Sequence, residues 1–207
     1  MQVLNLDDTP DNRQKAKQII AEDLNLPIEK VAFIPQYDYH IDLNYRPLHN
    51  GDIAVPDYEE SIKLLKVLNI PELENDTIDT YDELTDKSYP NKKTMLIAKL
   101  EYINEKTKNI RQGAEQILSE KGYNLVKIPA FVDDINYLNG IAGTASDDSE
   151  HAGESYYITN ESPYPELNEA IKKYFYDAKI DNIDFVPTQN YLLNDGGIDC
   201  LTLEQPD

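Results

Sequence analysis

LVKIP, residues 125–129, decides how this chain is read. It is a short apolar run after a long stretch of helical periodicity at 94–121, with Gly122 where a helix C-cap falls. Extended to LVKIPAF (125–131), it reads as a buried strand closed off by proline. The same grammar occurs twice more. VAFIP (31–35) follows an amphipathic stretch at 11–24, and IDFVP (183–187) follows another at 165–178. A helix that leads into an apolar strand ending in Pro, three times over, suggests a repeated supersecondary unit. Such a unit buries its apolar face only against its neighbours. The expectation is an α/β fold of about three such units, forming a single domain over residues 1–207.

The rest of the chain fills in around these units. Asp8-Thr9-Pro10 is a helix start, with a capping side chain followed by proline in the first turn. DYHIDLNY (38–45) alternates and reads as a strand, DIAVP (52–56) as another after the turn HNGD, and YEESIKLLKVL (58–68) as an amphipathic helix. Residues 69–92 are polar and acidic and read as a long loop or insertion, and residues 139–155 are small and polar and read as a mobile loop. SYYITN (155–160) reads as a strand.

Composition narrows the function. The chain carries 39 acidic against 19 basic residues, a net charge of −20, which argues against nucleic acid as a partner. The charge would favour the approach of a cationic ligand, and solubility alone is the plain reading of it. No apolar run approaches the ~18 residues of a membrane span, and residues 1–11 lack the basic-then-apolar pattern of a signal peptide. One cysteine forms no internal disulfide, so a reducing, cytoplasmic location is the expectation.

Few residues could do chemistry. In an extended strand His40 and Asp42 project to one face, an imidazole beside a carboxylate that could serve as a general acid/base and grip a cation. The plain alternative is a solvated strand face. His49 and His151 fall in a turn and a loop and read as surface residues. Cys200, the only cysteine, follows Gly196 and Gly197, where the backbone could turn sharply and approach a ligand. The flanking Asp195 and Asp199 would raise its thiol pKa unless a histidine or a cationic substrate offset them. One cysteine and three scattered histidines give no zinc spacing, and no phosphate-loop pattern is present.

VPTQNYLLNDGGIDCLTLEQP (186–206) resembles the C-terminal signature of the agmatine deiminase and bacterial-type peptidyl-arginine deiminase family, at Val186, Pro187, Gly196, Gly197, Cys200, Thr202, Gln205 and Pro206. HIDLNY (40–45) resembles the same family's His-x-Asp strand. The resemblance implies the pentein fold, an α/β-propeller of ββαβ units shared by guanidino-group-modifying enzymes. It implies Cys200 as the nucleophile, Asp42 holding two guanidinium nitrogens, His40 protonating the departing ammonia and then activating water, and Gly196 and Gly197 lining the substrate. It implies no cofactor and no metal, and a cationic guanidino compound or an arginine side chain as substrate.

Two departures go with it. Only 39 residues precede His40, none reading as the second acidic pair that the family carries upstream, and about three units stand where five are expected. The chain therefore reads as the C-terminal portion of such a propeller, whether a fragment, a split protein or a shortened relative, with a chain supplying the missing units or a homo-oligomer as the expected partner. Asp199 stands where many family members carry histidine. A catalytically incomplete binding module on the same fold and an amidinotransferase are the alternatives.

Overall fold

The computed structural model describes residues 9–37, 41–75, 80–132, 135–147 and 149–188. The chain divides into two compact units, Met1–Pro35 and Gln36–Asp207.

In the first unit, helix α1 spans Pro10–Asp23. Thr9 caps it, its hydroxyl accepting from the Asn12 backbone N–H at 3.2 Å, and Pro10 occupies the first turn, where a missing N–H costs nothing. Ala16 and Ala21 are its buried residues. A single 3₁₀ turn, Ile28–Lys30, follows. The expected strand VAFIP (31–35) pairs with no other strand among the described residues. The run has the composition of a strand, but β structure needs a partner ladder as well as propensity.

The second unit holds two copies of one topology. Strands β1 (Arg46–Pro47) and β2 (Ile53–Pro56) form an antiparallel hairpin, and β5 (Leu125–Ile128) returns parallel to β2 with Ile53 opposite Leu125 and Pro56 opposite Ile128. The hairpin turn places Gly51 at φ +83°, the left-handed region that glycine enters without strain. Further along the chain, β6 (Gly140–Thr144) and β7 (Ser155–Asn160) form the second antiparallel hairpin, and β8 (Asn182–Val186) returns parallel to β7. Each crossover is helical, since a parallel return requires a long connection. Helix α5 (Pro165–Asp177) makes the second crossover. The first contains α2 (Tyr58–Val67), capped by Asp57, then α3 (Pro71–Asn75), a small hairpin of β3 (Thr80–Asp82) and β4 (Lys87–Tyr89), and the 29-residue α4 (Lys92–Glu120). Both sheets are therefore ββαβ units with the same strand order. One apolar core joins them, with Leu65, Leu96, Leu100 and Ile128 from the first and Tyr157, Leu167, Ile171 and Phe175 from the second. Among the described residues there are three small sheets and five α-helices, and the sheets do not close into a ring.

Three further readings of the sequence are corrected. Residues 41–45, expected in a strand, form a tight turn: the N–H groups of Asn44 and Tyr45 both donate to the Ile41 carbonyl, at 3.0 and 2.9 Å. Local bonds of this kind compete with a ladder, and here they replace it. The expected loop at 139–155 contains β6. Its small residues are there for packing: a Cβ at Gly140 would lie 2.8 Å from the Tyr157 ring and 2.6 Å from the Ile158 carbonyl oxygen. A glycine where a ring presses on the backbone looks like a loop residue in the sequence. The expected loop at 69–92 contains α3 and the β3–β4 hairpin.

That hairpin is pinned to α4 by an ion pair of low exposure. Asp82 Oδ1 lies 2.8 Å from Lys99 Nζ, and its other oxygen accepts from the Thr85 N–H and hydroxyl at 2.9 and 2.7 Å. Burial pushes the Asp82 carboxyl upward, but the Lys99 ammonium and the Thr85 donors outweigh it and hold the group below its ordinary range. A carboxyl depressed in the folded state stabilises above its unfolded value of about 3.9, and that stabilisation is lost as pH falls through the lower folded value. Denaturant titrations carried from about pH 5 down to about pH 2 should therefore show a shallower acid loss of stability in Asp82→Asn than in the unsubstituted protein. Equal acid slopes would refute this role.

Candidate functional site

Both ββαβ units are entered from the same side. Arg46 of β1 lies opposite Ala54, so the chain reaches β1 from the side on which β2 and β5 end. Gly140 of β6 lies opposite Thr159, so the chain reaches β6 from the side on which β7 and β8 end. The residues just before these two first strands meet. Asp42, four positions before β1, accepts through Oδ2 a hydrogen bond of 2.5 Å from Nδ2 of Asn139, the residue before β6. The Asn136 amide adds a longer bond to the Leu43 carbonyl at 3.5 Å. The carboxyl ends of parallel strands are the usual place for ligands in α/β sheets.

Asn139 belongs to a buried amide chain. Asn160, the last residue of β7, donates from Nδ2 to the backbone oxygens of Asn136 and Asn139 at 2.7 and 2.8 Å. Its Oδ1 accepts from the Thr188 hydroxyl at 2.6 Å. Asn139, Asn160 and Thr188 are 0, 1 and 3% exposed, while Asp42 is half-buried. Polar groups this deep are kept only when hydrogen-bonded, and here each bond links a different segment: the turn before β1, the entry to β6, the end of β7 and the exit from β8. Tyr157 supports the entry to β6, its hydroxyl donating to the carbonyls of Leu138 and Tyr137 at 2.8 and 3.2 Å.

The turn bearing Asp42 is clamped from its other side. Tyr37 donates to the buried Asn44 Oδ1 and shares a 3.0 Å hydrogen bond with Tyr58. The Arg111 guanidinium, on α4, lies 5.0 Å from the Tyr58 ring centroid and donates through Nε to Thr107 at 3.0 Å. A guanidinium over an aromatic face is held by the ring quadrupole. Burial pushes the Tyr45 phenol up to about 12; Glu115 adds to the rise and Arg111 opposes it.

Of the residues singled out by sequence, Asp42 is thus placed where the two ββαβ sheets of the second unit meet. It stands in a turn, so the shared-face argument for His40 and Asp42 does not apply in the form given. His40, Gly196, Gly197 and Cys200 lie outside the described residues. His49 is exposed in the β1–β2 turn, and His151 is exposed with Nδ1 3.0 Å from Glu154 Oε2. Asn139, Asn160 and Thr188 were not anticipated. The available signal was an amide at the edge of an apolar strand, in LNG (138–140) and ITN (158–160), where burial demands a partner. Among the described residues no group of three or more His, Cys, Asp or Glu could hold a metal ion, and no helix is long and apolar enough to cross a membrane.

Comparison with known proteins finds no matching family model, no matching curated protein and no matching solved structure.

Proposed function

We propose that this chain is a guanidino-group hydrolase of the deiminase type, built on a partial pentein-like propeller. The observation that carries the reading is the Asp42 carboxylate held by Asn139 at the meeting point of two like ββαβ units. The chain to Cys200 also departs from that point, at Thr188. The paired ββαβ units support the propeller, and the resemblance of residues 186–206 and 40–45 to deiminases supports the chemistry. In this reading the enzyme works in the cytoplasm.

The mechanism is the one that the resemblance to deiminases implies, and each of its steps is chemically reasonable for these residue types. Asp42 accepts hydrogen bonds from two guanidinium nitrogens, which fixes the plane of the group. Asn139 keeps the carboxylate from rotating. The Cys200 thiolate adds to the guanidinium carbon above that plane, forming a C–S bond. His40 donates a proton to the departing nitrogen, the C–N bond breaks, and ammonia leaves a thiouronium. His40 then takes a proton from water, the oxygen adds to the same carbon, and cleavage of the C–S bond returns the thiolate and a ureido product. The substrate's own positive charge favours the thiolate and offsets Asp195 and Asp199.

A haloacetamidine, a guanidinium mimic, tests this directly. Cys200 should be alkylated saturably and faster than a free thiol, and His40→Ala should slow the reaction roughly tenfold or more. Labelling no faster than that of a free thiol would instead assign the chain to a binding module. Ammonia release from guanidino substrates separates hydrolysis from amidino transfer.

A further inference from the structure

Asn-Gly occurs twice in the sequence, at 50–51 and 139–140, and the fold treats the two pairs in opposite ways. Asn139 is fully buried, its amide nitrogen donates to Asp42 at 2.5 Å, and Gly140 stands in the β6–β7 ladder opposite Thr159. Asn50 and Gly51 are exposed in the β1–β2 turn. There the Gly51 N–H donates to the Leu48 carbonyl at 3.0 Å. The Asn50 amide is tied to Asp52: its Oδ1 accepts from the Asp52 N–H and its Nδ2 donates to Asp52 Oδ2, both at 3.0 Å. The space beside Gly51 is open, since a Cβ there would meet nothing within 4 Å. With no side chain of its own, the glycine leaves its backbone nitrogen unshielded.

From this contrast we infer that Asn50 is a site of spontaneous covalent modification, an amide that converts to aspartate and isoaspartate in the folded protein while Asn139 is protected. The inference does not rest on the deiminase reading. The Gly51 nitrogen gives its proton to solvent and adds to Asn50 Cγ. The bond from Cγ to Nδ2 breaks, that nitrogen leaves with a proton as ammonia, and a five-membered succinimide remains. Water then opens the ring. Addition at Cγ gives aspartate, and addition at the Asn50 backbone carbonyl carbon gives isoaspartate, with the main chain rerouted through the side chain. One water is consumed, one ammonia is released, and nothing is oxidised or reduced. The turn bonds at Asn50 and Gly51 must open first. Bonds at an exposed hairpin tip open at low free energy, whereas freeing Asn139 means breaking a buried network. The product also works against the turn. A carboxylate at position 50 loses the donor to Asp52 and faces it as a like charge, and isoaspartate adds a backbone carbon inside the turn that the Leu48–Gly51 bond closes.

The two pairs serve as each other's control. The full chain is incubated at mildly alkaline pH, folded and in guanidinium chloride, and peptide maps by mass spectrometry follow the amide-to-acid change at each site. In the folded protein Asn50 should convert at least about tenfold faster than Asn139. In denaturant the two rates should lie within about threefold of each other, because only local sequence then distinguishes them. An isoaspartate-specific carboxyl methyltransferase with a labelled methyl donor should mark the folded, aged protein at residue 50. Asn50→Ser keeps a side-chain oxygen for the Asp52 N–H and removes the reacting amide, so this mark should disappear. If the serine variant loses its cooperative unfolding transition, Asn50→Gln, whose longer side chain disfavours the ring closure, is measured in its place. The inference is overturned if the ratio of the two rates is no larger in the folded than in the denatured protein. It is overturned equally if Asn50 stays intact in the folded protein over the time in which the denatured protein loses both amides, or if the variant is methylated as fast as the unsubstituted protein.

Discussion

Tyr157→Ala is expected to cost about 3–5 kcal/mol of folding stability, among the largest losses available to a single substitution here. The Tyr157 side chain is fully buried at the centre of β7. Its ring stacks on Phe175 of α5 with centroids 4.4 Å apart and planes 28° apart, which joins the second sheet to its crossover helix. It also presses on Gly140 across the hairpin, so no neighbouring side chain fills the space from that side. Its hydroxyl satisfies the carbonyls of Leu138 and Tyr137, which would be left buried with fewer donors. For a chain of this length the midpoint of thermal unfolding should fall by roughly 6–20 °C. Tyr157→Phe separates the contributions. It keeps the ring and loses the hydroxyl, and should cost only about 1–3 kcal/mol. Chemical denaturation of both variants provides the check; a phenylalanine variant as unstable as the alanine one would mean that the hydroxyl, not the ring, dominates. Because the two carbonyls directly precede Asn139, the alanine variant should also disturb the hold on Asp42, while a distant core truncation of similar cost should not.

On the proposed deiminase reading, Cys200→Ser is expected to abolish ammonia release from guanidino substrates, by more than about a thousandfold, while leaving the unfolding transition in place. The guanidinium carbon is a weak electrophile because its charge is delocalised. A soft thiolate adds to it, whereas a serine hydroxyl, protonated at neutral pH, does not. Substrate affinity should survive in this variant, because in the proposed site it rests on Asp42 and not on the sulfur. Asp42→Ala should show the reverse, with substrate affinity lost and the sulfur still alkylated by iodoacetamide. Turnover retained in the serine variant would end the assignment of Cys200 as the nucleophile.

The sequence was most legible where one helix or strand could be read on its own terms. The helices at 10–23, 58–67, 92–120 and 165–177 announce themselves by 3.6-residue periodicity, with a capping start at Thr9-Pro10 and a C-terminal glycine at Gly122, and the structure places them within a residue or two of expectation. Strands 53–56, 125–128, 155–160 and 182–186 are compact runs rich in apolar and β-forming residues, and they too stand where expected. Readings failed where context outweighed composition. Residues 31–35 look like a strand and pair with none among the described residues. Residues 140–144 look like a loop because glycine is the only residue that fits beneath Tyr157. Asp42 was singled out for a reason that does not survive, since it projects from a turn and not from a strand face.

Local chemistry thus determined, from sequence alone, where helices begin and end, which runs are apolar enough to be strands, and which side chains could hold a cation. Those choices depend on neighbours within a turn or two of chain. Which strands pair, and which buried amides meet which carboxylate, was decided by the tertiary structure only. Asp42 and Asn139 are 97 positions apart, and Asn160 and Thr188 are 28 apart. A hydrogen bond over such a separation forms only after two hairpins and their crossover helices have packed on one core, so no periodicity along the chain encodes it.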